Sequence, residues 1–196
     1  MIEKLAQTLV AWQMERNYLK EKDRGLYTYA YELLLGQTVN FLIACILAVV
    51  FHAYLTVLIF LVAYIPLRSY AGGHHAETSG ICTVVSAAIL CVVCAVAKLI
   101  PLQSFIWVSL AALAISGFMI FSFAPVDSHS RPLDEQERKR YRKRSRVLWV
   151  VETLIWVGCY CVQFWTAGMA VSLAHLVVSG MLYAGMIKNR RLQKQV

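Results

Sequence analysis

We predict that the chain folds as an all-α, polytopic membrane helical bundle, because three properties of the sequence agree. Of its 196 residues, 59% are hydrophobic and 15% are charged, whereas about a quarter of the residues in a soluble domain are charged. The hydrophobic residues form continuous segments without strand-like alternation, which disfavours a β-barrel. The net charge of +8 comes from basic residues beside these segments, so membrane topology explains it better than nucleic-acid binding.

The first element is an amphipathic, cytosolic N-terminal segment, residues 1–25. Within residues 1–20, Ile2, Leu5, Leu9 and Trp12 recur at helical spacing. This segment is too polar to span a bilayer. We therefore expect a helix that lies at the membrane surface or packs against a partner subunit.

The rest of the chain completes a single membrane domain, residues 1–196, whose helical bundle covers residues 31–187. About six hydrophobic segments are expected near 31–51, 54–67, 81–97, 102–124, 147–166 and 169–187. Crossing a hydrocarbon core takes about 20 apolar residues, so the second segment is short. Breaks at His52-Ala53 and at Gly168 predict two helical hairpins. Four full spans with two re-entrant hairpins fit the same pattern.

The basic residues predict the orientation in the membrane. With the N-terminus in the cytosol, every lysine and arginine except Lys98 falls on the cytosolic side. Positive residues concentrate on that side in membrane proteins. We therefore expect both termini, a polar loop at 68–82 and a basic loop at 125–146 to be cytosolic.

The loop at 68–82, R-S-Y-A-G-G-H-H-A-E-T-S-G-I-C, concentrates reactive side chains in an apolar chain. Polar groups at membrane depth are costly and usually functional. A cysteine nucleophile needs a nearby base, so Cys82 and His75 are the candidate catalytic pair.

The spacing of this pair constrains the backbone. Two residues seven apart on one straight helix are separated by about 10 Å of rise, whereas proton transfer needs roughly 3 Å. The chain must therefore bend, and we expect the third span to start near Ser79. Cys82 would then lie in the first helical turn, where free N–H groups favour a thiolate and an oxyanion. Gly73 and its neighbour Gly72 would permit close backbone approach.

Other interpretations of these residues stay open. If the two residues do not form a pair, Cys82 would simply pack beside a membrane span, and His75 would be a solvated residue of the loop. Glu77, with the two histidines and Cys82, could bind zinc, although the spacing matches no standard signature; we predict no metal and no cofactor. Arg68 would either orient a carboxylate of the substrate or serve as a positively charged anchor on the cytosolic side. Glu77 would either orient His75 or face solvent. Two further acidic residues are candidates for a third catalytic group or for partners of Arg146 or Arg24, namely Glu32 and Glu152.

Both loops resemble the accessory gene regulator B (AgrB) family of membrane peptidases. The first resemblance is the run from Arg68 to Cys82, with an arginine seven residues before His75 and the cysteine seven beyond. The second is A-P-V-D-S-H-S-R-P-L at 124–133, similar to the family's A-P-x-D segment. Arg131 and Ser130 stand where the family commonly has lysine and asparagine, which leaves substrate identity open.

The resemblance implies a cysteine endopeptidase that cleaves the C-terminal part of a small quorum-sensing precursor. Cys82 would form an acyl-enzyme thioester with His75 as base and then acid, and ring closure would yield a thiolactone or lactone. The expected partners are an amphipathic, membrane-associated precursor peptide, the lipid bilayer and a second copy of the chain, without nucleic acid. The expected location is the plasma membrane of a Gram-positive bacterium. The alternative is a small transporter or exporter component for a peptide, which would not need Cys82 or His75.

Overall fold

The computed structural model describes residues 2–16, 18–73, 79–127 and 133–193, and this part of the chain is all-α. Its seven helices are α1 (Ile2–Glu15), α2 (Arg24–Val50), α3 (Tyr54–Ala71), α4 (Ser79–Leu99), α5 (Phe105–Phe123), α6 (Glu135–Cys161) and α7 (Trp165–Gln193). Short 3-10 turns at Glu21–Asp23 and Leu102–Ser104 precede α2 and α5. The predicted fold class is confirmed.

Five of these helices, α2, α3, α4, α5 and α7, are long and apolar enough to cross a membrane. The sixth long helix, α6, combines two kinds of sequence. Its N-terminal half, residues 135–146, is strongly basic, and its second half is apolar. The segment expected as a basic loop at 125–146 is therefore helical from Glu135 onward, which corrects that prediction.

Helix α7 forms the centre of the bundle and packs against α3, α5 and α6. Ala170, Ala174, Val178 and Leu182 recur every four residues along it, and all four are fully buried. Residues at this spacing share one helix face, and small side chains let membrane helices approach closely. In contrast, large apolar side chains elsewhere, such as Leu42 and Val62, face outward where lipid would cover them.

The helix boundaries correct two further expectations. The second span is not short, because α3 continues through Pro66 to Ala71 and reaches 18 residues. The turn between α6 and α7 lies at residues 162–164, where Gln163 has a positive φ of 59°. The hairpin predicted between the fifth and sixth segments is present, but its turn does not lie at Gly168, which is inside α7. The turn expected at His52-Ala53 is confirmed between α2 and α3.

Helix α1 packs against α2, but not through the expected stripe. Its buried residues are Ala6 and Val10, whereas Leu5, Leu9 and Trp12 are exposed. The small side chains fit against the neighbouring helix, and the large ones remain available to a membrane surface or another protein.

Candidate active site

The candidate nucleophile lies at the start of α4. This helix begins at Ser79, as the spacing argument predicts, so Cys82 falls in its first turn. The thiol is free and exposed. Backbone N–H groups in the first turn have no partner within the helix, and the helix dipole favours negative charge there. The position is therefore suited to a thiolate and to an oxyanion formed beside it.

The end of α3 leads into the loop that precedes α4. Gly72 N–H donates to the carbonyl oxygen of Arg68 at 3.1 Å and closes the helix. The guanidinium of Arg68 in turn donates to the carbonyl oxygen of Gly72 at 2.5 Å. Arg68 thus folds over its own helix end, where it positions the entry to the loop.

Two glycines anchor this loop against a distant segment. Gly73 N–H donates to the carbonyl oxygen of Val126 at 3.1 Å, and Val126 N–H donates to that of Ala71 at 3.0 Å. Gly72 and Gly73 have φ values of 76° and 117°. A Cβ on Gly72 would collide with the Val126 carbonyl oxygen, and one on Gly73 would lie 2.7 Å from that of Met181. The close backbone approach expected for Gly73 is therefore real, and only glycine fits it.

The segment around Val126 is itself tied to two helices through Asp127. The carboxylate of Asp127 forms an ion pair with Arg138 in the first turns of α6. The carbonyl oxygen of Asp127 accepts a hydrogen bond from the side-chain amide of Asn189 on α7 at 2.8 Å. The A-P-V-D motif thus acts as a support that connects the loop after α3 to α6 and α7. Sequence reasoning missed Asn189, which lies too far along the chain to give a local signal.

Tyr64 joins the site from α3. Its hydroxyl interacts with the Arg68 side chain through hydrogen bonding, and it is close enough to Cys82 for an electrostatic interaction. Sequence analysis overlooked Tyr64, although a tyrosine one turn before Arg68 shares its helix face.

The other predicted site residues fall outside the described part of the chain. His75 and Glu77 are not among the described residues, and for Ser79 only the helical backbone is described. His75 follows the anchored Gly73 by two residues and precedes Cys82 by seven. Its pairing with Cys82 stays a prediction. Within the described ranges, no cluster of three or more potential metal ligands occurs.

Glu152 is engaged elsewhere in the bundle. Its carboxylate binds Nε2 of His175 at 2.8 Å, and both side chains are buried between α6 and α7. Glu152 does not pair with Arg146, which instead donates to the carbonyl oxygen of Phe121 at 2.7 Å. Support of His75 by Glu152 stays a prediction, because His75 lies outside the described residues.

Comparisons with known proteins agree with the family resemblance of the two loops. The sequence profile of the accessory gene regulator B family matches residues 2–185. A Clostridium perfringens (strain 13) protein, provisionally named AgrB-like protein 2, is 30% identical over 138 residues, which are 66% of this chain and 63% of that protein. A Listeria innocua protein, provisionally named AgrB-like protein, is 29% identical over 160 residues, covering 80% and 73% of the two chains. No solved structure matches the chain significantly.

Fold and site together define the class, a polytopic α-helical membrane protein with an exposed thiol at a helix start beside a glycine-anchored loop. The chain belongs to the accessory gene regulator B family. The relatives come from Gram-positive bacteria. The chain spans 63% of the length of the two Clostridium perfringens relatives.

Proposed function

We propose that the protein is a membrane-embedded cysteine endopeptidase that processes a small quorum-sensing peptide precursor. The observation that carries the proposal is the placement of Cys82, an exposed thiol in the first turn of α4. The anchored loop before that helix carries His75 in sequence. Family membership supports the same function class.

The electrostatic setting favours nucleophilic chemistry at this thiol. Helix dipoles stabilise a negative charge at their N-terminus, and the thiolate is the reactive form of cysteine. Arg68 interacts with Tyr64 of the same helix. Its guanidinium would orient a carboxylate of the substrate.

In the proposed reaction His75 removes the proton from the Cys82 thiol, and the sulfur attacks a peptide carbonyl of the precursor. The carbonyl oxygen becomes an oxyanion, which free N–H groups of the first turn of α4 stabilise. The C–N bond then breaks, and His75 returns its proton to the departing amine. The C-terminal fragment leaves, and the remaining precursor is joined to Cys82 as a thioester.

The second half of the reaction closes a ring. A thiol or hydroxyl of the precursor attacks the thioester carbonyl, the bond to the Cys82 sulfur breaks, and the Cys82 thiol is regenerated. The product is a cyclic thiolactone or lactone. A thioester retains its acyl-transfer potential, so this step needs no ATP, and a water-poor site at the membrane disfavours its hydrolysis.

The test is co-expression of the chain with the short open reading frame adjacent to its gene, followed by mass spectrometry of the precursor and of Cys82. Wild type should give a truncated precursor. Cys82→Ala should give none, and His75→Ala should lower the cleavage rate about 10²–10⁴-fold, the usual contribution of a general base. An acyl adduct on Cys82 would identify the intermediate directly.

Two matched variants control for general effects of cysteine or histidine loss. Cys161→Ala removes an exposed thiol at the end of α6, and His52→Ala removes the histidine of the turn between α2 and α3. Both should cleave at the wild-type rate. If wild type and Cys82→Ala give identical precursor masses, with the precursor well expressed, the peptidase function is wrong and a transport role becomes the better hypothesis.

A further inference from the structure

A cavity of about 510 Å³ opens between α2, α3 and α4. This volume lies in the range of pockets that bind small ligands. Along α2 the lining extends from Leu34 to Ala44, which corresponds to about 15 Å of helix rise. The cavity is therefore elongated along the helices.

The cavity ends one helical turn from the candidate nucleophile. Ser86 lines it and lies one turn after Cys82, so the two side chains project from the same face of α4. Tyr64 of α3 also lines the cavity. A chain attached to the Cys82 sulfur would enter this space by extending about 6 Å along α4.

The lining is suited to an uncharged peptide. Most of it is aliphatic and aromatic, and none of the described residues that form it is acidic or basic. Its polar groups are two carboxamides and three hydroxyls, contributed by Gln37, Thr38, Asn40, Tyr64 and Ser86. These groups can donate to peptide carbonyls and accept from peptide N–H groups.

One of these groups lacks a partner. The carbonyl oxygen of the Asn40 side chain is buried and has no hydrogen bond from any described residue. A buried acceptor left unpaired costs about 1–3 kcal/mol. Because this oxygen is closed off from the cavity, the Asn40 side chain must rotate to meet a peptide N–H there. That rotation would pair the acceptor, whereas a lipid acyl chain has no donor to offer.

We propose that this cavity binds an uncharged, largely apolar segment of the precursor while the precursor is held at Cys82. The inference rests on the peptidase function proposed above and names the chemical class of its substrate. Asn40 would accept a hydrogen bond from the bound backbone, and the surrounding apolar side chains would bury the segment's own apolar side chains. The cavity would thereby fix which peptide bond reaches the thiol.

Photocrosslinking tests this placement. A photoreactive phenylalanine analogue is introduced at Ile89, which lines the cavity, or at Val84, which is exposed and does not line it. Both positions are on α4, and Val84 is the closer of the two to Cys82. The chain carries Cys82→Ala so that the co-expressed precursor is not consumed, and it is irradiated in membranes.

The expected result is a precursor adduct at Ile89 and little or none at Val84. Lipid adducts alone at Ile89 would make the cavity a lipid site, and equal precursor adducts at both positions would mean general membrane association. Either result overturns the inference. Cleavage is measured separately with otherwise wild-type protein. Active cleavage without an Ile89 adduct would contradict precursor binding in the cavity but leave the proposed peptidase function intact.

A functional variant gives a second measurement. Asn40→Leu removes the unpaired acceptor without leaving a buried polar group, so the fold should persist. It should raise the precursor concentration for half-maximal cleavage about fivefold to tenfold, the loss expected for one hydrogen bond. The maximal rate should change less, since Asn40 does not contact the thiol. An unchanged half-maximal concentration contradicts a role for Asn40.

Discussion

Gly72→Ala tests whether contact between the two loops organises the active site. Gly72 has φ 76° and ψ −153°, a backbone region that is essentially restricted to glycine and costs another residue about 1–3 kcal/mol. The new Cβ would also collide with the Val126 carbonyl oxygen. Relief of that collision should break the two hydrogen bonds that join the segments, each with a net value of about 1 kcal/mol.

Together these effects should destabilise the hydrogen-bonded contact between the two segments by about 3–5 kcal/mol. Because each 1.4 kcal/mol is a factor of ten, the anchored population should fall at least about 100-fold. The rate of precursor cleavage should fall by a similar factor. The core cluster that includes Phe60, Trp156 and Ala174 should remain, since the glycine follows the end of α3 and lies outside that cluster.

Two assays measure this effect independently. Hydrogen exchange with mass spectrometry should show faster exchange of the Val126 amide, which requires no assumption about catalysis. Precursor cleavage then reports the functional consequence. Gly80→Ala is the matched control, because it lies in α4 next to the site and a Cβ there meets nothing within 4 Å. Slow exchange at Val126 together with normal cleavage in Gly72→Ala would refute the reasoning.

Two further predictions concern the bundle and its orientation. Glu152→Ala should lower the free energy of unfolding by about 1–3 kcal/mol, because it leaves the buried His175 ring nitrogen unpaired. Thermal unfolding in detergent measures this effect, with Val151→Ala at an exposed position as the control. An equal effect of both variants would contradict the prediction. In chains that retain a single cysteine, a membrane-impermeant maleimide should label Cys82 only from the cytosolic side and Cys161 only from the opposite side. Labelling of both from one side would show that the predicted orientation is wrong.

Much of the architecture could be predicted from the local pattern of the sequence. Apolar segments of membrane-spanning length form helices, because a backbone in hydrocarbon must satisfy its own hydrogen bonds. The start of α4 near Ser79 followed from a distance argument on His75 and Cys82 together with the composition of residues 78–80. These features depend on residues close to one another along the chain, so no knowledge of the packing was needed.

Gly168 shows where local reasoning failed. A glycine between apolar segments suggests a turn, but in the structure it lies within α7. A Cβ on Gly168 would lie 3.5 Å from atoms of the Phe105 and Trp156 rings. These are ordinary van der Waals distances, so the glycine lies where α7 packs against α5 and α6. The role of this glycine depends on which helices become neighbours, and the turn forms at Gln163 instead.

The sequence by itself determined the membrane class, the helical segments, the expected sidedness and a thiol at the start of a span. Only the tertiary structure decided which groups meet. It joined Gly72 and Gly73 to Val126, paired Glu152 with His175, and formed a cavity that ends one helical turn from Cys82. These pairings connect residues that are distant along the chain, and the packing around α7 determines which of them become neighbours. Local periodicity carries no information about that packing, so the Cys82 loop could be located from sequence, but its support could not.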